Sequence, residues 1–495
     1  MRNTVIALAL IALLTPSLGH TTPVWTDAGK AQTVMATAVT SSIDARSTIG
    51  QLADILHLAP SDAIAPNVQR PAFPSGPVGK LINSDLQLAM TQLSIHIGSN
   101  NQIRILRAQG DRRDALILQS GFSNLQDLAK TAEIEGIDGL RLVDGVVHLS
   151  RPLVVWLGAG LKLEPGDKLV MDGASGAFLL GFGQIEMIGA DVHARQKGGI
   201  QEEYRPFVLV TGQGTLFSQD TNFSGLGMVG ADPFGGVVIS TRGLFPPKFP
   251  PILLQNTFED VGVVGMVGVT DGIIKGNLIT AGRGSGISLV SANRVQVIDN
   301  AVLGTKGGAG IKIANGTDIA LSGNLVSAGA HNGVSIGGNS TKIKINSNAI
   351  FSNAETGIAT QRATCVLITG NSIAQNGASG LRLNESGVSR VQGNALVLNT
   401  NSGLHVGAQH KGGRIEVSEN LLAGNRVGLT GVAIGEVVLD QNNLSAQMPR
   451  LFDGEFSQYL AGYLTQVQQQ SNKTYHIAGP TGQQADAFFT ACSKG

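Results

Sequence analysis

Aromatic side chains are scarce in this chain: Phe, Trp and Tyr make up 4% of 495 residues. Charged residues are scarce too, at 14%, and they cancel to a formal net charge of +0. A chain with so few rings and no overall basic charge lacks the stacking platforms and the electrostatic footprint of a nucleic-acid binder. Cysteine is limited to Cys365 and Cys492, with no CxxC and no Cys/His cluster, so neither a metal nor any other cofactor is implied. Cys365 lies in the apolar run Thr364-Cys365-Val366-Leu367-Ile368, which reads as a strand with a buried free thiol, although an oxidising compartment would permit a disulfide. Beyond the N-terminus no apolar run approaches the ~20 residues that span a bilayer.

What the chain has in quantity is glycine, 66 residues, together with 42% hydrophobic residues. Many glycines and aliphatics with few charges suit tight turns and stacked aliphatic layers. At the N-terminus, Arg2, the apolar run Val5 to Leu14 and the small residues around Pro16-Ser17-Leu18-Gly19 read as a signal peptide cleaved after Gly19. The mature chain is then exported and not inserted in the membrane.

An internal repeat fills the second half. Asn256, Asn277, Asn300, Asn324, Asn348, Asn371, Asn394, Asn420 and Asn442 each precede an aliphatic or aromatic pair position, at spacings of 21 to 26 residues. A second marker follows in phase: Gly286, Gly310, Gly333, Gly357, Gly380, Gly403 and Gly428, each followed by Ile, Val or Leu. A period near 23 with two locked markers predicts an all-β, right-handed parallel β-helix. The LxxLxL core of a leucine-rich repeat is missing. Each coil would place its Asn at one turn, in an αL conformation and in a ladder of side-chain amides, with aliphatic residues stacked inside. Residues 140–250 carry shorter apolar strands that read as irregular early coils, and Phe245 to Pro251 must be a loop because proline cannot donate into a ladder. The expected organisation is a signal peptide at 1–19, an N-terminal α/β cap region at 20–140 with a Pro-rich linker at 60–77, the β-helix at 141–445, and a helical cap or tail at 446–495. Ser123 to Ala132 and Glu455 to Gln470 read as helical.

Alternation along the strand after each glycine predicts one outward stripe: Ser288, Lys312, Ser335, Ala359, Arg382, His405 and Thr430. Its small residues leave room for sugar rings. Lys312, Arg382 and His405 are the candidate substrate-binding residues, and His405 is the candidate base, with His331 and His410 as further histidines. Residues 241–430 hold 15 Lys+Arg against 9 Asp+Glu, so the repeat is basic within a neutral chain, and an anionic partner follows.

Several strings resemble the periplasmic mannuronan C5-epimerases of bacterial alginate biosynthesis: Arg151-Pro-Leu-Val-Val-Trp156, Leu161-Lys-Leu-Glu-Pro-Gly-Asp167, Ser175-Gly-Ala-Phe178, Tyr204-Arg-Pro-Phe-Val208 and Asn256-Thr-Phe-Glu-Asp260. The resemblance covers about residues 150–445. It implies a single-stranded, pectate-lyase-like β-helix, a periplasmic location, an acidic polysaccharide in a groove, and other proteins of a polysaccharide export complex as partners. The family's Asp-Pro-His-Asp motif follows one Gly-Ile pair. Here that coil reads Gly286-Ile-Ser-Leu-Val-Ser291, which puts Ser288, Val290 and Ser291 at the motif positions, and Asn315 falls near the family's arginine. Valine cannot move a proton. Three functions stay open: a non-catalytic polysaccharide-handling protein, an epimerase or lyase using displaced residues, and a structural or adhesive β-helix. A glycoside hydrolase would want two facing carboxylates, which the stripe does not hold.

Overall fold

The structure is a computed structural model that describes residues 70–97, 102–195, 204–228, 233–241, 246–409, 412–469 and 474–479, with single positions elsewhere. The leader expected at 1–19, most of 20–69 and His410 lie outside the described residues. The chain winds as a right-handed parallel β-helix of about twelve turns. Each turn contributes one strand to each of three sheets, of 15, 14 and 13 strands. A representative coil runs Ile287–Val290 in the first sheet, Gln296–Ile298 in the second and Ala301–Leu303 in the third. Ile287, Leu289, Val297 and Val302 point inward and are buried in one continuous core that runs the length of the stack.

The asparagine ladder forms at the corner between the second and third sheets. Each Asn from Asn256 to Asn420 donates its Nδ2–H to the Oδ1 of the next, at 2.8–2.9 Å. The same Oδ1 accepts the backbone N–H of the Asn before it, as with Asn348 N to Asn371 Oδ1 at 2.9 Å. The αL conformation expected of the Asn falls on the residue in front of it. Gln255, Gly276, Asp299, Gly323, Ser347, Gly370, Gly393, Glu419 and Gln441 have φ between 50° and 67°. The corner therefore bends one position early, which frees the Asn side chain to turn inward and bond along the axis.

Parallel pairing in the first sheet already includes Asp114–Ser120, upstream of residue 141. Helix α1 (Leu86–His96) and helix α2 (Gln102–Ala108) precede it, and α3 (Leu125–Ile134) follows. Helix α3 is capped by Asn124, whose Oδ1 accepts the Asp127 N–H at 2.8 Å, and it buries Leu125, Leu128, Ala129 and Ala132 in the main core. At the other end, Arg450–Gly454 adds a last parallel strand, and Glu455–Tyr459 leads into α4 (Leu460–Gln469). Thr474–Ala478 then pairs antiparallel with Glu436–Asp440. The cysteines correct the expectation of a free thiol: Cys365 and Cys492 form a disulfide across 127 residues of sequence. The Thr364–Thr369 strand exists, but Cys365 is a half-buried residue at φ 53°, so its side chain leaves the inward register at a corner and meets the C-terminal tail. The stretch 70–77 is no free linker either. Arg70 donates two hydrogen bonds to the fully buried Glu186, at 2.7 and 3.0 Å, and lies over the Phe217 ring. Among the described residues no helix is long and apolar enough to cross a membrane.

Candidate functional site

The three sheets present three different outer faces. The third sheet turns Ala301, Leu325, Ala349, Phe351, Ala395 and Val397 outward, and this apolar face is packed by neighbours that include Val34 and Ile55. The second sheet is crossed upstream by the Arg70 segment and carries an ion-pair run downstream, Arg390 to Glu416 to Arg414 to Glu436, at 2.8–3.5 Å. The first sheet is split. Its upstream outer row, Ile117, Val154, Leu180, Leu209 and Val238, is buried beneath Leu86, Met90 and Leu93 of α1 and the rings of Phe207 and Phe234. Downstream, from Lys312 on, the same row is exposed or half-buried apart from the buried Ala359.

Strand register places that row residue by residue: Ser288 pairs Lys312, then Ser335, Ala359, Arg382, His405 and Thr430, and Asp453 closes it. The stripe read from alternation is the stripe in the structure. Lys312 is exposed, while Arg382 and His405 are half-buried on adjacent strands. Neither Lys312 nor Arg382 has an ion-pair partner among the described residues. Lys312 stands three strands from Arg382, about 14 Å at the usual spacing between strands.

One position along, Asn384 pairs Gly407. A Cβ on Gly407 would lie 2.5 Å from Asn384 Oδ1 and 3.0 Å from His405 Nε2, so both side chains lean over the bare glycine. Asn384 Oδ1 is buried without a hydrogen-bond partner. Burial first, and then the Arg382 charge, hold the His405 ring below its ordinary pKa, so it is neutral at pH 7. Arg382 and His405 thus offer one cation and one neutral imidazole on the same patch, with the unpartnered Asn384 Oδ1 buried beside them. Sequence reasoning missed Asn384; its signal is the Asn placed two residues after the outward Arg382, on the same face of the strand.

The carboxylates near the stripe are engaged elsewhere. Glu355 faces His331 at 3.1 Å, Glu385 accepts from Gln361 at 2.8 Å, and Asp453 meets Arg450 at 3.3 Å. At the positions matching the epimerase motif, Ser288 is buried, Val290 is half-buried and Ser291 is exposed at an αL corner. At the upstream margin Asp260 holds two arginines, Arg205 at 2.7 Å and Arg283 at 3.1 Å. Burial and the nearby Arg205 pull Arg283 down to about 10. Its guanidinium also donates to the carbonyls of Asp260 and Leu226, at 3.1 and 2.7 Å.

Two family models match parts of this chain. One is described as a periplasmic copper-binding protein (NosD), over residues 307–444, and the other as a right-handed β-helix region, over 235–366. No curated protein matches. Among solved structures, the periplasmic alginate epimerase AlgG is similar with a TM-score of 0.61 and 20% identity, over 78% of this chain and 98% of that one. A double mutant of the same enzyme gives 0.63 and 20% identity, over 78% and 100%. The A-module of the Azotobacter vinelandii mannuronan C-5 epimerase AlgE6 gives 0.41 and 11%, over 67% and 91%. The two AlgG likenesses establish the fold. The resemblance drawn from the sequence strings holds at that level.

Proposed function

We propose that this protein binds an acidic polysaccharide along the downstream outer face of the first sheet, in the periplasm, without altering it. The observation that carries this reading is the register of one open stripe, in which Lys312, Arg382 and His405 share a face with small residues. A long, flat row with spaced cations suits an extended anionic chain, and each coil rises about 4.8 Å, close to the length of one sugar in such a chain. Arg382 would meet a carboxylate of the polymer. Inverting or eliminating at C5 needs a base and a proton donor around one carbon. The stripe holds His405 without a partner acid, because the neighbouring carboxylates are engaged.

The disulfide is consistent with an oxidising compartment. Likeness to periplasmic proteins supports the periplasm and, as the sequence resemblance implies, a place beside other proteins of polysaccharide export. Copper is a poor fit to this chain. Cys365 is tied in the disulfide, His331 faces Glu355, and His405 sits beside a guanidinium that repels a cation. Among the described residues no three His, Cys, Asp or Glu side chains converge.

A second reading rests on the neutral His405 ring: it would take a C5 proton while Arg382 neutralises the sugar carboxylate, in an epimerase or lyase. A proton NMR time course with polymannuronate separates the two. The proposal expects unchanged anomeric signals together with salt-sensitive binding. New guluronate-type signals or unsaturated chain ends would overturn it in favour of the enzyme.

A further inference from the structure

The outer row of the first sheet changes character abruptly. From Ile117 to Val238 it is aliphatic and no more than 2% exposed, because α1 and the Phe207 and Phe234 rings lie on it. Gly265 follows, then Ser288 at 7%, and from Lys312 onward every position of the row except the buried Ala359 is exposed or half-buried. The covering layer is anchored. Arg283 donates to the carbonyl of Leu226, and Arg205 reaches Asp260, so the chain on both sides of the cover is tied to the coils that follow it. Tyr204 donates its hydroxyl to the Gly176 and Ala177 carbonyls at 2.9 and 3.0 Å, which fixes the strap that carries Phe207. A polymer lying along the open stripe would therefore run into a wall of packed side chains at its upstream end. At the other end Thr430 and Asp453 are half-exposed, and the last strand offers no comparable cover among the described residues.

We infer that the stripe is closed at its upstream end and takes the terminus of an acidic polysaccharide, holding about seven sugar residues between the wall and the downstream rim. The inference rests on the polysaccharide reading above and adds the polarity and the length of the site. Its capacity follows from the register: seven outward positions from Ser288 to Thr430 span six intervals of about 4.8 Å, close to 29 Å. The end at the wall is the more cationic one. Lys312 is the first exposed side chain beyond the wall, and the exposed Lys306 lies on the loop that leads into the same strand. A terminal uronate carboxylate would meet these lysines, while the body of the chain reaches Arg382 and His405 three and four coils further on.

The test uses the full protein with oligomannuronates of about three to twelve sugars, untagged or with a bulky fluorophore on either the reducing or the non-reducing end. Affinity is expected to rise with each added sugar to about seven and stay level beyond. A tag on one end should cost at least tenfold, and a tag on the other less than twofold. Ser288→Trp, which extends the wall by one coil, should shorten the optimal oligomer by one or two sugars. Binding that tolerates both tags and keeps tightening past seven sugars overturns the closed end and leaves the polysaccharide reading standing. No binding by any untagged oligomer overturns both.

Discussion

His405 is the side chain of the stripe whose charge changes nearest to neutral pH. Its ring is held below the ordinary value of about 6.5, first by burial and then by Arg382. The unfolded chain therefore binds more protons here than the folded one as pH falls below about 6.5. The stability tied to this ring is complete above that pH and is lost as pH falls through the folded value. Polymer binding should run the other way. An anion beside the ring favours its protonated form, so affinity should rise as pH drops from about 7 to 5.5, and His405→Gln should flatten that rise in a calorimetric titration. Arg382→Ala should move the ring pKa upward in an NMR titration, because one of its two causes is gone. The same variant should weaken polymer binding about tenfold, the worth of one charged hydrogen bond at about 1.5 kcal/mol. Alternation alone made Lys312, Arg382 and His405 legible as a set. Asn384 was not, because its interest lies in an unpartnered oxygen that depends on Gly407 in the next coil, and no single-strand pattern reports that.

At the scale of the element, the ladder asparagines carry the corner between two sheets. Asn371 is fully buried; its Nδ2 donates to Ile345 O, Thr369 O and Asn394 Oδ1, and its Oδ1 accepts from Asn348 N and Nδ2. Asn371→Ala leaves at least two buried groups unsatisfied, at about 1–3 kcal/mol each. Denaturant unfolding should show a loss of about 3–5 kcal/mol, while Asn371→Asp should also destabilise because it brings a charge into the same row. The ladder was legible because its spacing repeats over nine coils. A second ladder, Asn353, Asn376, Asn399, Asn425 and Gln447, bonds at 3.0–3.1 Å after the third-sheet strand. Its trace is an Asn five residues after each first-ladder Asn in the later coils. The shorter run and the Gln at its end hid it. The αL position was misplaced for a related reason: the bend can fall on any residue beside the Asn, and the chain uses Gly, Asp, Ser, Gln or Glu there, which gives no common letter to read.

Across the whole molecule, the parallel stack and its helical C-terminal segment followed from period and composition. The contacts that close the structure are remote in sequence and left no periodic mark: the α1 cover over the first sheet, the Arg70–Glu186 anchor across 116 residues, and the disulfide across 127. The disulfide should hold the C-terminal tail to the stack. Its loss as Cys492→Ser should lower stability by about 2–5 kcal/mol and speed proteolysis after α4, with cleavage sites read by mass spectrometry. The proposed polymer-binding face rests on Lys312, Arg382 and His405 of one sheet. The most direct measurement is the affinity for polymannuronate of the native protein and of the variant with all three changed to alanine, at two ionic strengths. The account predicts at least a hundredfold loss in the variant and a much flatter salt dependence, with circular dichroism unchanged. Equal affinity of the two proteins would contradict it and place the polymer, if it binds at all, on another face.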